Sequence, residues 1–501
     1  MGWLRHVTTF GAADTPGGAL PHMEGITDLE IRSDASGAWL YSASGADDGL
    51  GVFSLGAGRA ASYQEQRGAS TNRGTDGLAG IELVGIGGQT ALLPSGRLDD
   101  RMAFHMLDAD GGFGSVRVLG ANSSLIGNIS DSLSFSVPGK TFLVTTQWGE
   151  TGFRSYRLRD DYSVEYKNWF DGSVKAATGD ITALAGVEID GRNFFFTASA
   201  EEDGVTAWWI GQWGNIKQRD TTGAGEGLGI SDPSALDTAV VDGTAFLVVG
   251  SAGSGTLSVL RVGRWGGLFQ EDHILDSLST RFAGVTAVET FTLENRAFVL
   301  AGGRDDGLTL FELAPDGQLL LIEVLADSLT TTLNDISDIE AVVLDGSVQI
   351  HVASSDEVGI TQFTLDPRAL GVSQNGEKWA DTLTGTAADD LLAGRGGNDT
   401  LLGGAGDDWL IDGIGADTMT GGTGADTFVF IDDGRLEAVT DFTPGQDRLD
   451  LSDFPMLYSM DRLNIVQKDY GVLIQYGDDR IRLEGGVQAN DLGADDFLFA
   501  G

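Results

Sequence analysis

The chain has no cysteine, few prolines (9), few histidines (5) and only 31 basic residues against 74 acidic ones. Without cysteine there can be no disulfide framework, thiolate metal site or cysteine nucleophile. Scarce proline argues against a proline-rich linker protein, and 74 glycines suit a fold made of many tight turns. The five histidines (His6, His22, His105, His273, His351) form no metal-binding pair at helical or strand spacing. No nucleophile elbow or phosphate loop is present either. No apolar run approaches membrane-spanning length, and Met1 to Leu20 lacks the continuous apolar stretch of a cleaved secretory signal. The formal net charge of −43 repels nucleic acid and anionic lipid, attracts divalent cations, and opposes compaction until counter-ions bind. At 501 residues the chain exceeds the usual single-core size, so at least two domains are expected.

A block of roughly fifty residues recurs through the first 370 positions. Its marker is a glycine, or a substitute, opening an alternating apolar run: Gly49, Arg101, Gly152, Gly204, Gly255, Gly307 and Gly359. Each block opens about 23 residues earlier with a short run such as ITDLEI from Ile26 or ISDIEA from Ile336, then has a middle run such as NFFFTAS. Period-two alternation, Val, Phe, Leu and Ile enrichment, and Gly, Asp and Asn turns mark short antiparallel strands. A fourth run, such as LLLIEVLAD after Asp316, completes a four-stranded sheet. Seven such sheets predict a seven-bladed β-propeller over residues 1–371. The seventh block meets Pro367 before a fourth strand, so its edge needs a partner. The run WLRHVTTF from Trp3 to Phe10 is like the other fourth strands and is expected to close the ring. In flavour the blades resemble lactonase-type propellers, a likeness of fold that carries no activity.

From Gly376 the pattern becomes six nonapeptides, with aspartate at position six (Asp381, Asp390, Asp399, Asp408, Asp417, Asp426) and an apolar residue at position eight (Leu383, Leu392, Leu401, Leu410, Met419, Phe428). Glycines permit turns with positive φ that aim carbonyl oxygens inward, and calcium wants six to eight oxygens in flexible geometry. The glycines in question are Gly394, Gly396, Gly397, Gly403, Gly404, Gly406, Gly413, Gly415, Gly421, Gly422 and Gly424. The eighth residues point the other way and fill the core of a parallel β-roll over 372–429. One coil takes two nonapeptides, so Asp381, Asp399 and Asp417 are expected on one side and Asp390, Asp408 and Asp426 on the other. Ions between neighbouring turns would number up to four, weakest between Asp381 and Asp399, where the first two repeats depart from the pattern. The repeats resemble those of the RTX (repeats-in-toxin) family, the hemolysin-type calcium-binding repeat. That resemblance implies Ca2+ as the bound ion.

Residues 430–501 are expected to form a C-terminal β cap, making the whole chain all-β: seven-bladed β-propeller, parallel β-roll, cap. The segment DFTPGQDRLDL from Asp441 resembles the one that follows the roll in serralysin-like secreted proteases, although their zinc-binding helix motif is missing here. The end, DDFLFA from Asp495 to Ala500, resembles the acidic-then-apolar export signal of type I secretion. These resemblances imply a secreted, extracellular protein handled transiently by a type I secretion apparatus; the negative charge and the lack of a long apolar run lead to the expectation of no nucleic-acid partner and no transmembrane segment.

Within the propeller, Glu30, Glu82, Glu289 and Glu340 hold near-equivalent places on the opening strands of adjacent blades, with Asp28, Asp131 and Asp338 about two residues earlier. Opening strands line a propeller's central channel, so these acids are a candidate second metal site. Two functions compete. One is an extracellular binding or adhesion module for a glycan or protein ligand, with the roll serving export and folding. The other is a secreted hydrolase, lactonase- or phosphoesterase-like, with a metal in the channel. The lack of a catalytic constellation favours the first.

Overall fold

The computed structural model describes residues 3–12, 18–68, 75, 77–97, 102–118, 127–137, 139–170, 178–277, 280–365 and 370–499. It divides into two compact units, one drawn from residues 1–366 and the other chiefly from 367–501.

The larger unit is a seven-bladed propeller. Each blade is a four-stranded antiparallel sheet whose neighbours follow in chain order, as in Ile26–Asp34, Gly37–Ser44, Gly49–Leu55 and Ser62–Gly68. The expected marker glycines stand at or just before the third strand of their blades, for example Gly204–Ile210 and Gly307–Leu313. Arg101 lies outside the described residues. The seventh blade takes its outer strand from the start of the chain. Leu4–Phe10 pairs antiparallel with Ile360–Leu365, from Leu4 opposite Leu365 to Phe10 opposite Ile360. The Leu4 N–H also donates to Glu323 of blade six at 2.5 Å. Alternating residues of each strand interlock with the next blade: Phe10, Ile26, Leu40, Phe53 and Ile360 form one such seam. Large fully buried rings such as Phe153, Phe195 and Trp208 fill another.

The smaller unit is a coil of short parallel strands in two sheets. One runs Leu370–Asn375, Asp389–Ala393, Trp409–Ile411, Thr427–Val429, Arg448–Asp450, Phe497–Leu498; the other begins Thr382–Thr384, Thr400–Ala405, Thr418–Thr423, Leu436–Val439, Asp479–Leu483. Strands eighteen residues apart lie in register, Leu392 on Leu410 and Leu401 on Met419. The eighth residues of all six repeats are buried together in one core, which continues into Phe430, Val439, Leu449, Phe454 and Leu483. Parallel stacking therefore does not end at Val429. The strands Leu436–Val439 and Arg448–Asp450 continue it with irregular spacing, and an antiparallel meander of Asn464–Lys468, Gly471–Tyr476 and Asp479–Leu483 covers the end. The strand Leu370–Asn375, which has no repeat pattern, pairs parallel to Asp389–Ala393 at the start of the coil.

Candidate metal centre

The aspartates at position six form two ladders, each built from backbone–carboxylate bonds one coil apart. On one side the N–H of Asp381 donates to Asp399 Oδ1 (2.7 Å) and that of Asp399 to Asp417 Oδ1 (2.5 Å). On the other, Asp390 donates to Asp408 Oδ1 (2.8 Å) and Asp408 to Asp426 Oδ1 (3.1 Å). Each such bond satisfies one backbone donor and fixes one carboxylate oxygen. The separation into two sides follows from the strand geometry, because two nine-residue steps return the chain to the same face.

The second oxygens behave differently along the ladders. Asp390, Asp399, Asp408, Asp417 and Asp426 are at most 2% exposed. Oδ2 of Asp399, Asp408 and Asp417 is buried with no hydrogen-bond partner. A buried carboxylate oxygen without a partner carries a heavy desolvation penalty. Burial pushes the carboxyls of Asp408 and Asp417 up to about 7 and that of Asp426 to about 6, with neighbouring acids adding to the effect. At the irregular start, by contrast, the chain supplies its own donor. Asp381 Oδ2 accepts the N–H of Glu377 (2.7 Å) and Asp390 Oδ2 that of Thr386 (2.5 Å). Those residues occupy position two, where the regular repeats carry glycine or Arg395.

Glycine is needed where turns stack. Gly406 and Gly424 have φ of 116° and 143°, and a methyl group on Gly424 would run into the carbonyl oxygen of Gly406. A methyl on Gly403 or Gly421 would strike the carboxylate of Asp408 or Asp426. The groove between turns is therefore narrow and lined by oxygens, and a cation bound there would relieve the orphaned acceptors. Among the described residues no three Asp, Glu or His side chains converge on one point, so carbonyl oxygens would have to complete a calcium shell of six to eight.

Several acids that serve the same framework lie outside the repeats and were not singled out from the sequence. Asp417 N–H donates to Glu437 Oε2 (2.6 Å), and Asp426 N–H to Asp447 Oδ1 (3.1 Å). Asp441 accepts from Gly421 (3.0 Å) and Gly422 (2.8 Å). Their offsets of 19 to 21 residues break the nine-residue period, which is why periodicity alone misses them.

In the propeller, Glu30, Glu82, Glu289 and Glu340 do come near one another: Glu30 feels the charge of Glu82, and Glu340 those of Glu289 and Glu30. The bonds made by Glu30, Glu82 and Glu289 are inter-blade. Glu82 accepts the Ser134 N–H of the next blade (2.8 Å), and Glu289 that of Ala341 (3.2 Å). Asp28 takes Ile81 (2.7 Å), Asp237 takes Thr290 (2.7 Å), and Asp338 takes Leu29 (2.6 Å) across the closing seam. Glu30 is held by the Leu83 N–H and Asp131 by that of Leu184. The acids remain half-buried. Burial raises the carboxyl of Glu82 to about 8 and that of Asp131 to about 7. Carboxylates held in this way act as clamps between blades.

Among the described residues no helix is long and apolar enough to cross a membrane. Residues 380–410 and 393–428 match the RTX calcium-binding nonapeptide repeat family. No curated protein sequence matches the chain. Among solved structures it is similar to the R3 subunit of AlgE6, a mannuronan C5-epimerase of Azotobacter vinelandii determined in solution. That match has 33% identity, covers 27% of this chain and 86% of that one, and has a TM-score of 0.22. Aspartate ladders with orphaned oxygens, glycine turns and the family match converge on one conclusion: residues 380–428 of the chain are RTX calcium-binding nonapeptide repeats.

Proposed function

We propose that the chain is a secreted protein whose roll folds when it meets calcium outside the cell, after export by a type I apparatus, and whose propeller is an extracellular binding or adhesion module. The observation that carries this reading is the set of buried, unpartnered oxygens on Asp399, Asp408 and Asp417. Calcium would sit in the inter-turn grooves beside these aspartates and Asp426, with the glycine-rich turns at Gly394 to Gly397, Gly403 to Gly406, Gly413 to Gly415 and Gly421 to Gly424 supplying carbonyl oxygens. Asp381 and Asp390, whose second oxygens already accept backbone N–H groups, would contribute least.

From Gly376 onward the chain carries 25 acidic and 8 basic residues, a net charge of −17. Its strands are two to six residues long. Repulsion and chain entropy therefore oppose folding of this segment until ions neutralise it. Extracellular calcium modules bind at roughly 10⁻⁴ to 10⁻³ M, so the segment would stay unfolded in a cytosol poor in free calcium. Binding to the folded form alone then drives folding by mass action. The acidic and apolar end from Asp495 onward, part of which forms the strand Phe497–Leu498, would serve as the export signal.

The test is a calcium titration of the full chain after chelation, followed by far-ultraviolet circular dichroism. The expected result is a gain of strand signal with a midpoint in that concentration range. Full strand signal in chelator would sink the coupling. Co-expression with a type I exporter should release the chain into the medium, and removing residues 495–501 should retain it in the cell.

A further inference from the structure

The ladder that runs through Asp381, Asp399 and Asp417 does not stop where the nonapeptides stop. Eighteen residues beyond Asp417 stands Arg435, which cannot serve as a rung. The rung is supplied by Glu437, twenty residues on, whose Oε2 accepts the Asp417 N–H. A side chain one methylene longer than aspartate spans the longer offset. Glu437 is 5% exposed, and its other oxygen, Oε1, is buried with no partner, just as Oδ2 of Asp417 is.

Two further carboxylates act on this pair through their charge. Asp412 occupies the first position of its repeat, where the other five repeats have glycine, and is 1% exposed. It feels the charges of Glu437 and Asp417. Asp433 accepts the Gly415 N–H (2.8 Å) on one oxygen and the Arg435 N–H (2.9 Å) on the other, and its charge acts on both Asp417 and Glu437. The opposite ladder ends otherwise. Asp447 takes the Asp426 N–H on one oxygen and the Thr443 N–H (2.7 Å) on the other, so the backbone closes that row. The row ending in Glu437 therefore keeps an open, buried acceptor at the cap end, beside three other acids. Carboxylates gathered out of water are stable as anions only with a cation or donors among them.

We propose that Asp417 and Glu437 hold one further calcium ion at the junction of coil and cap, one rung beyond the last nonapeptide aspartate of that row. This rests on the reading that the aspartate rungs hold calcium. Backbone carbonyl oxygens would complete the shell, as at the other rungs. Glu437 lies on the strand Leu436–Val439, which pairs parallel with both Thr418–Thr423 and Asp479–Leu483. The ion would therefore join the last turn of the repeats to the meander that covers them.

Calcium bound per full chain is to be counted by equilibrium dialysis at saturating calcium for the unaltered protein, E437Q and D408N. Glu437→Gln keeps an oxygen for the Asp417 N–H and removes the charge. The expected result is one ion fewer in E437Q than in the unaltered chain. An unaltered chain that binds no calcium would defeat the rung reading itself. Ions lost in D408N but none in E437Q would overturn this proposal alone. Should E437Q fail to fold, crystals of the unaltered chain soaked in terbium decide the matter. An anomalous peak at the Glu437 carboxylate supports the site, and peaks confined to the aspartate rungs refute it.

Discussion

The propeller and the roll are each joined internally by the same kind of bond, a carboxylate accepting a backbone N–H of a neighbouring unit, the following blade in the propeller and the preceding coil in the roll, and they use it to opposite effect. In the propeller, Asp28, Glu82, Asp237, Glu289 and Asp338 clamp successive blades while half-buried. Large apolar seams do most of the holding there. In the roll the strands are too short to bury comparable area, the carboxylates are sealed, and three of them keep an oxygen without a partner. A half-buried clamp can be hydrated. A sealed one must find a cation. On the proposed reading, the propeller is expected to fold without calcium and the roll is not.

The largest effect expected within the propeller comes from its closing strand. Deleting residues 1–12 removes the seven-residue strand Leu4–Phe10 and exposes the ladder of Ile360–Leu365 next to an apolar seam. The thermal midpoint of this unit should fall by roughly 10 °C, taking a few degrees per kcal/mol. An unchanged midpoint in calorimetry would show that the ring does not depend on that strand.

A smaller effect separates the two ends of the roll. Asp408 is sealed, accepts the Asp390 N–H and has an orphaned oxygen, whereas both oxygens of the cap-distal rung Asp390, and Oδ2 of Asp381, are already engaged by backbone donors. Asp408→Asn should shift the calcium midpoint of the circular dichroism titration by about tenfold, equivalent to about 1.4 kcal/mol. Asp381→Asn should shift it by about twofold or less. Equal shifts would remove the distinction between engaged and orphaned rungs.

The smallest effect concerns pH in the propeller. Burial raises the Glu82 carboxyl to about 8 and the Asp131 carboxyl to about 7, while in the unfolded chain they titrate near 4. Protonation therefore stabilises the native state fully below about pH 4, and this contribution is lost as pH rises through about 7 and 8. His351, buried with neither ring nitrogen partnered and lowered to about 3, acts with the opposite sign, but only below about pH 6.5. The clean window is pH 6.5 to 8.5. In chelator the propeller midpoint should drop there by a few degrees, and less in a Glu82→Gln variant. A flat profile would mean that channel water already solvates these acids as anions.

Much of this was legible from residue spacing. The marker glycines and the missing fourth strand of block seven lead directly to the closure by Trp3 to Phe10, because strands repeat locally and a sheet edge needs a partner. The two-sided roll follows in the same way from six aspartates nine residues apart. What spacing could not reveal is bonding between repeats. The acids Glu30 to Glu340 suggest a metal site when seen on one strand face, yet the neighbouring blade brings backbone donors to several of them. The hydroxyls of Ser234 and Ser337, on the second residue of their blades, likewise donate to Val285 and Ile26 of the next blade, at 2.5 and 2.6 Å. Nothing in their own blade marks them. Glu437 and Asp447 are hidden for another reason: the cap inserts residues, so the period that identifies Asp381 to Asp426 is lost where the framework continues.

Hydrogen exchange on the full chain, with calcium and with chelator, tests the contrast between the two regions most directly. The account predicts that in chelator the amides of Asp390, Asp399, Asp408 and Asp417 exchange freely and become protected only when calcium is added. The amides of propeller strands such as Thr244–Ser251 should be protected equally in both conditions. Protection of the ladder amides in chelator would contradict it.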